Sequence, residues 1–270
     1  MPTDPKLDSL LAVIAAGQVI DLEQKRTIGM PGFPTHWPGY NYALHRRHEP
    51  GLERRTSAMG FIYQGEHAGT HIDAFCHQAE DMEMLGGVKV TAQVQTPTGF
   101  TELSVETISP IIRRGVLLDL AALAGGPLPA KQLVSGADLQ RAADAQGTQV
   151  NRGDVLLVRV GWGPHWSEPD TYIEAPGMNR EAAEWAAARE VFAVGADNMS
   201  WDLPGYTDEV TGSTLPAHSV LLVRSGVHIV ENMLLEDLSA SGAQEFLFVC
   251  VPLKYVGGTG CPVRPLAIVV

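Results

Sequence analysis

Residues 67–77, His67-Ala68-Gly69-Thr70-His71-Ile72-Asp73-Ala74-Phe75-Cys76-His77, hold three imidazoles and a carboxylate in one short stretch. Imidazole and carboxylate together are ligands for first-row metals, and they suit Zn, Mn or Fe better than Ca or Mg. Asp73 and His77 follow His71 at even spacings, which on an extended segment put side chains on one face. Gly69 permits a kink or a close backbone approach. A helix would also bring His67 to His71 as i and i+4, but it would turn Asp73 away, and Gly69, Thr70 and β-branched Ile72 favour strand and loop. A divalent metal held here would lower the pKa of bound water towards ~7 and polarise a carbonyl oxygen. A neutral His beside that water can take its proton and return it to a leaving amine. The chemistry this points to is hydrolysis of an amide or ester, the ring amide of a lactam included. Cys76 adjoins His77, yet strand neighbours face opposite ways, so a cysteine nucleophile is the weaker mechanism. Ser200 and Ser225 lack a visible base or elbow motif, which makes a serine triad weaker still.

The elements that must position these groups can be read outward from the motif. Residues 59–64 read as a strand leading into it, and 80–87 as a polar, Gly-terminated loop or short helix. Upstream, 7–16 has helical spacing ending at Gly17, and 19–22 is a short strand. Residues 29–40 form a Pro- and Gly-rich loop carrying Phe33, His36, Trp37 and Tyr40. Such an aromatic loop either covers an apolar substrate or anchors itself to the core. The basic residues His45 to His48, Arg54 and Arg55 receive no function. Downstream, 116–120 and 155–160 are buried apolar strands, and a helix capped at Ser135 or Asp138 lies between them. Trp162, His165 and Trp166 follow the second of these strands, where α/β proteins place ligand contacts. A helix over 179–190 leads to a strand at 191–194 and a polar, site-facing loop at 195–202. His218 opens an apolar run, and Glu231 is a carboxylate beside a buried-looking strand, a position where carboxylates are rarely unpaired. Residues 246–252 read as the final long strand. The tight turn Gly257-Gly258-Thr259-Gly260-Cys261-Pro262 is expected to cradle a substrate through backbone N–H groups.

With 270 residues and 45% hydrophobic content the chain can bury a large core. A net charge of −12 argues against nucleic acid or an anionic membrane as partner. Three widely spaced Cys do not make a disulfide framework. Nothing resembles a secretory leader, and no apolar run approaches ~18 residues. The expectation is a cytoplasmic enzyme with one domain over 1–270, in which the helix at 1–17 is a candidate oligomer contact.

The residues 67–73 with His77 resemble the signature of the cyclase-like metal-dependent hydrolases, a family that includes kynurenine formamidases and isatin hydrolases. His218 with its following Leu-Leu pair and Ile229-Val230-Glu231-Asn232 matches a second family segment. Pro252-Leu253-Lys254 with Gly260-Cys261-Pro262-Val263-Arg264 matches a third, and Gly195-Ala196-Asp197 with Ser200 is also similar. The resemblance covers residues 18 to 270. It implies an α/β chain in a swivelling β/β/α fold, with a mixed central sheet or barrel flanked by helices, assembled as a homodimer or homotetramer. It implies one or two Zn or Mn ions per subunit, held by His67, His71, Asp73, His218 and Glu231, with Asp73 able to bridge two metals. It assigns His77 the catalytic role. The family usually has Pro where this chain has Phe75, which changes the wall beside His77.

The expected reaction is therefore amide hydrolysis of a small aromatic or cyclic substrate, an aryl formamide such as N-formylkynurenine or a lactam such as isatin. Phe33, Trp37, Tyr40, Phe75 and Trp162 are its candidate substrate contacts. A cyclase, dehydratase or lactonase acting on a polyketide-like or sugar-acid substrate at the same metal site is the alternative. A metal-containing binding protein without catalysis is disfavoured by His77 standing beside all five ligand candidates.

Overall fold

The computed structural model describes residues 4–36, 38–51 and 54–270. Its strands of three or more residues, in chain order, are β1 (Gln18–Asp21), β2 (Asn41–Arg46), β3 (Met59–Tyr63), β4 (His71–Asp73), β5 (Ile111–Asp119), β6 (Val155–Arg159), β7 (Ala193–Ala196), β8 (His228–Glu231), β9 (Glu245–Cys250), β10 (Gly260–Pro262) and β11 (Leu266–Val269). All but β2 and β3 join one nine-stranded sheet in the order β1-β11-β9-β5-β6-β7-β8-β4-β10. Its centre, β5-β6-β7-β8, is parallel, and both flanks are antiparallel. The α/β expectation of a mixed central sheet flanked by helices holds.

The apolar runs in β5 and β6 follow from burial on both faces, as parallel strands require. Val116, Leu118, Leu156, Val158, Val194 and Ile229 pack into one core. Their alternates Leu117, Leu157, Ala193 and Val230 pack into the other. The helices α2 (Gly136–Gln146) and α3 (Arg180–Ala187) cover the first face. The first starts at Ser135, whose hydroxyl and Asp138 form a reciprocal capping box; the second starts at Asn179, whose side chain accepts from the Ala182 N–H. The N-terminal helix α1 (Pro5–Ala16) buries none of its residues, and Leu7, Leu10, Leu11 and Val13 are exposed. The β2–β3 hairpin stands apart from the main sheet, with Tyr42, Leu44, Phe61 and Ile62 exposed. Two more strands, β10 and β11, follow the one expected to be the last long strand. No helix among the described residues is long and apolar enough to cross a membrane.

Candidate metal centre

Only the middle of the motif is a strand. In β4, Ile72 is wholly buried in the second core, so His71 and Asp73 face the other way. Register then brings in a third group: Glu231 of β8 lies directly opposite His71. Gly260 of β10 lies opposite Asp73. A Cβ at Gly260 would come within 2.8 Å of His67 Cε1, so the glycine leaves the room that the His67 ring occupies. His67 itself sits in the turn before β4, and His77 ends a 3-10 turn, Phe75–His77. The extended segment expected from even spacing is therefore confined to residues 71–73. Gly69 has φ +68°, and a Cβ there would lie 2.7 Å from the Arg26 guanidinium. That guanidinium ties down the carbonyls of Ala68 and Thr70, while the Thr70 hydroxyl donates to the Asn232 carbonyl.

His218 arrives from the far side. It ends the short helix Pro216–His218, which continues as a π-helical stretch, Ser219–Ser225. Asp202, wholly buried, receives that helix: its Oδ1 accepts from Ala217 N at 2.7 Å, and its Oδ2 accepts from His218 N at 3.1 Å. The same Oδ2 lies 2.7 Å from His218 Nδ1. The other ring nitrogen, Nε2, is 3.2 Å from Glu231 Oε1 and 3.7 Å from Asp73 Oδ2.

A single pattern runs through the three imidazoles. His71 Nδ1 is held by the Gly69 carbonyl at 2.7 Å, His218 Nδ1 by Asp202, and His67 Nε2 by the Thr259 hydroxyl at 2.9 Å. In each ring the remaining nitrogen turns inward. His67 Nδ1 is 2.8 Å from Asp73 Oδ1, and His71 Nε2 is 3.2 Å from Glu231 Oε2 and 3.5 Å from Asp73 Oδ1. His67 Nδ1, His71 Nε2, both Asp73 carboxylate oxygens and Glu231 Oε1 are buried without a hydrogen-bond partner. Buried polar atoms without partners are costly. Inward imidazole nitrogens beside two carboxylates are a nitrogen–oxygen donor set that fits a divalent first-row metal, and outer nitrogens tied to protein acceptors are the usual accompaniment of metal-ligating His. His71, Asp73 and Glu231 present ligand atoms within 4.8 Å of one another, and so do His67, Asp73 and His77.

Protonation follows the same geometry. Burial alone would lower the His71 pKa, but the carboxylates of Asp73 and Glu231 outweigh it and raise it to about 10. His218 is raised well above its ordinary value against the same burial cost, through Asp202 and Glu231. Asp73 is held well below the usual carboxylate range despite burial, with His77, His67 and His71 around it. His77 moves the other way: burial and the neighbouring His67 keep it neutral. Its ring stacks on His67 at 4.0 Å between centroids and lies 6.0 Å from His218. Burial pushes the Cys76 thiol up to about 12, so it is no ready nucleophile.

The five ligand candidates and His77 thus share one cluster, whereas the candidate substrate contacts are dispersed. Phe33 joins a small core with Trp166, Tyr172 and Met199. Tyr40 lines a groove of about 480 Å³ with Arg26, Tyr63 and Glu66. Phe75 stacks on His228 at 4.0 Å, and His228 Nδ1 contacts the Asp73 carbonyl at 2.9 Å. Trp162 is buried in the first core, its indole N–H donating to the Leu128 carbonyl. Trp37 lies outside the described residues. From the aromatic loop it is His36 that reaches the cluster, 5.2 Å from His67 and 6.2 Å from His77. The turn at 257–262 does not keep its N–H groups for a substrate: Gly257 N donates to Glu106, Gly258 N to the Tyr255 carbonyl and Thr259 N to Glu66. Asp202, Glu66, Thr259 and His228 support the centre without having been singled out in the sequence. Asp202 had a signal in its place in the polar loop after β7, and Thr259 in its place in the glycine-rich turn.

The family model described as "Putative cyclase" matches residues 20–203. An isatin hydrolase of Roseibium aggregatum is 24% identical over 251 residues, covering 88% of this chain and 84% of that one. A crystal structure of a novel cyclase superposes with a TM-score of 0.82 at 25% identity, over 98% of this chain and 91% of the other. Isatin hydrolase A from Ralstonia solanacearum superposes with a TM-score of 0.77 at 22% identity, over 100% and 99%.

Proposed function

The chain belongs to the cyclase family, and on that premise we propose that it is a divalent-metal-dependent hydrolase that cleaves an amide bond of a small aromatic or cyclic substrate, an aryl formamide or a lactam of the isatin kind. The observation that carries this reading is the inward convergence of His67, His71 and His218 on Asp73 and Glu231, their outer nitrogens already tied. The similarity to isatin hydrolases supports the substrate class. A divalent ion held by these five side chains supplies a Lewis acid for a carbonyl oxygen and makes water a nucleophile near neutral pH. Zn and Mn both suit an all-nitrogen-and-oxygen site.

His77 is the proton carrier in this proposal. Held neutral by burial, it has a lone pair to accept the proton that water gives up as oxygen bonds to the carbonyl carbon. Asp73 and Glu231 favour the resulting imidazolium. His77 then returns the proton to the nitrogen as the C–N bond breaks. Stacking against His67 fixes the ring plane, so the transfer needs no large rotation.

The test is turnover of isatin and of N-formylkynurenine by the Zn- or Mn-loaded chain, followed by ultraviolet absorbance. Metal-dependent hydrolysis of either substrate supports the proposal. Metal-loaded protein that is inert to both but opens a lactone or dehydrates a sugar acid would replace it with the alternative chemistry.

A further inference from the structure

We infer that Glu66 and Thr259 form a relay that dictates which nitrogen of His67 faces the cluster; the inference rests on the metal-site reading given above. Thr259 Oγ1 lies 2.7 Å from Glu66 Oε2 and 2.9 Å from His67 Nε2. A hydroxyl has one proton, and a carboxylate can only accept, so that proton goes to Glu66. The hydroxyl oxygen is then left to accept, and His67 Nε2 must be the donor. A neutral imidazole carries one N–H, which leaves the lone pair on Nδ1. Nδ1 faces Asp73 Oδ1 at 2.8 Å, and both atoms are buried and unpartnered. Two acceptors at that distance repel unless a cation, or an added proton, stands between them. The relay therefore leaves Nδ1 as the lone-pair nitrogen of His67, facing the cluster.

The backbone is built around the relay. Glu66 Oε2 also accepts from Thr259 N at 2.9 Å, and the Thr259 carbonyl accepts from Ala74 N at 2.9 Å. A Cβ at Gly258 would lie 2.7 Å from Glu66 Oε1. The glycines of this turn thus admit the carboxylate on one side and the His67 ring on the other. Glu66 also lines the groove beside Tyr40 and Arg26, so solvent reaches one end of the relay.

Both residues are positioning residues, and their effect is read without turnover. Thr259→Val keeps the shape and removes the hydroxyl; Thr259→Ser restores it. With the full chain, Zn²⁺ and Mn²⁺ affinities are measured by competition with a chromogenic chelator. The expectation is a loss of ~10–100-fold in Thr259→Val, the range for removing an outer partner of a ligating His, with recovery in Thr259→Ser. Glu66→Gln should weaken binding as well, and the double variant should be no weaker than Thr259→Val alone, because both act through one hydroxyl. Imidazole ¹⁵N–¹H spectra of metal-free wild type should show the His67 proton on Nε2. Unchanged affinity in Thr259→Val, additive losses in the double variant, or an Nε2 without its proton in wild type would each overturn the relay. Wild type that binds neither metal while His67 keeps its Nε2 proton would sink the metal-site reading instead and leave the relay standing.

Discussion

Metal uptake by this site should expel protons, and His71 and His218 are their source. In the metal-free centre, His71 is raised to about 10 and His218 well above its ordinary value. At pH 7.5 each therefore carries a proton on the nitrogen that a metal needs. Asp73 and Glu231 are lowered and already ionised, and His77 is held neutral, so these three release none. Through His71 and His218 alone, binding one divalent ion should release about two protons. The apparent log K should rise by about two per pH unit near neutrality, where both rings still hold their proton. The sign for stability runs in parallel. A His raised on folding stabilises the apo protein fully below its unfolded value near 6.5, and that contribution is lost as pH rises through the folded value. The melting-temperature gap between metal-loaded and metal-free protein should therefore widen with pH. Calorimetric titration of Zn²⁺ in buffers of different ionisation enthalpy counts the protons directly. A release below about 0.5 per ion at pH 7.5 would show that the inward nitrogens are not the ligands.

Four substitutions separate the roles in the cluster. His77→Ala should keep its metal and lower kcat by ~10²–10⁴, the range for losing a general acid–base, whereas His71→Ala should lose metal; a metal-depleted or fully active His77→Ala protein, by elemental analysis and steady-state kinetics, contradicts the proton-carrier role. Asp202→Asn, with its amide oxygen on the Ala217 N–H, sets an NH₂ against the His218 Nδ1 proton, so chelator competition should find metal affinity down ~10–100-fold. Gly260→Ala drives a methyl into His67, and should cost ~1–3 kcal/mol in denaturant unfolding while weakening metal binding; wild-type values for both would mean that the close approach is not felt.

What could be read from the chain was local, and what could not was distant. His67, His71, Asp73 and His77 stand within one short stretch, and their residue types alone signal a metal. His218 and Glu231 were reached through resemblance, because only strand register shows that Glu231 is the cross-strand partner of His71. Asp202, Thr259 and Glu66 are ordinary polar residues until the fold closes: 192 residues separate Thr259 from His67. The glycine-rich turn reads as a substrate cradle in the sequence, but the N–H groups of Gly257 and Thr259 are taken by carboxylates brought from elsewhere in the chain, and that of Gly258 by the Tyr255 carbonyl. The aromatic loop shows the same ambiguity: Phe33 is absorbed into a small core, and it is His36 that reaches the cluster. Helix positions were legible where a cap could be read, as at Ser135, or where an amphipathic, Ala-rich run marked the helix, as at 179–190.

Strand β4 is three residues long, and both strands that pair with it are made late in synthesis. While the chain leaves the ribosome, His67, His71 and Asp73 are exposed well before Glu231 and Gly260 exist. Closing so large a loop is a slow, non-local event. The centre therefore cannot template the early collapse of the chain; it is assembled when the sheet's far edge zips shut. In a refolding trace, the moment at which the protein first competes with a chelator for metal would time that last closure.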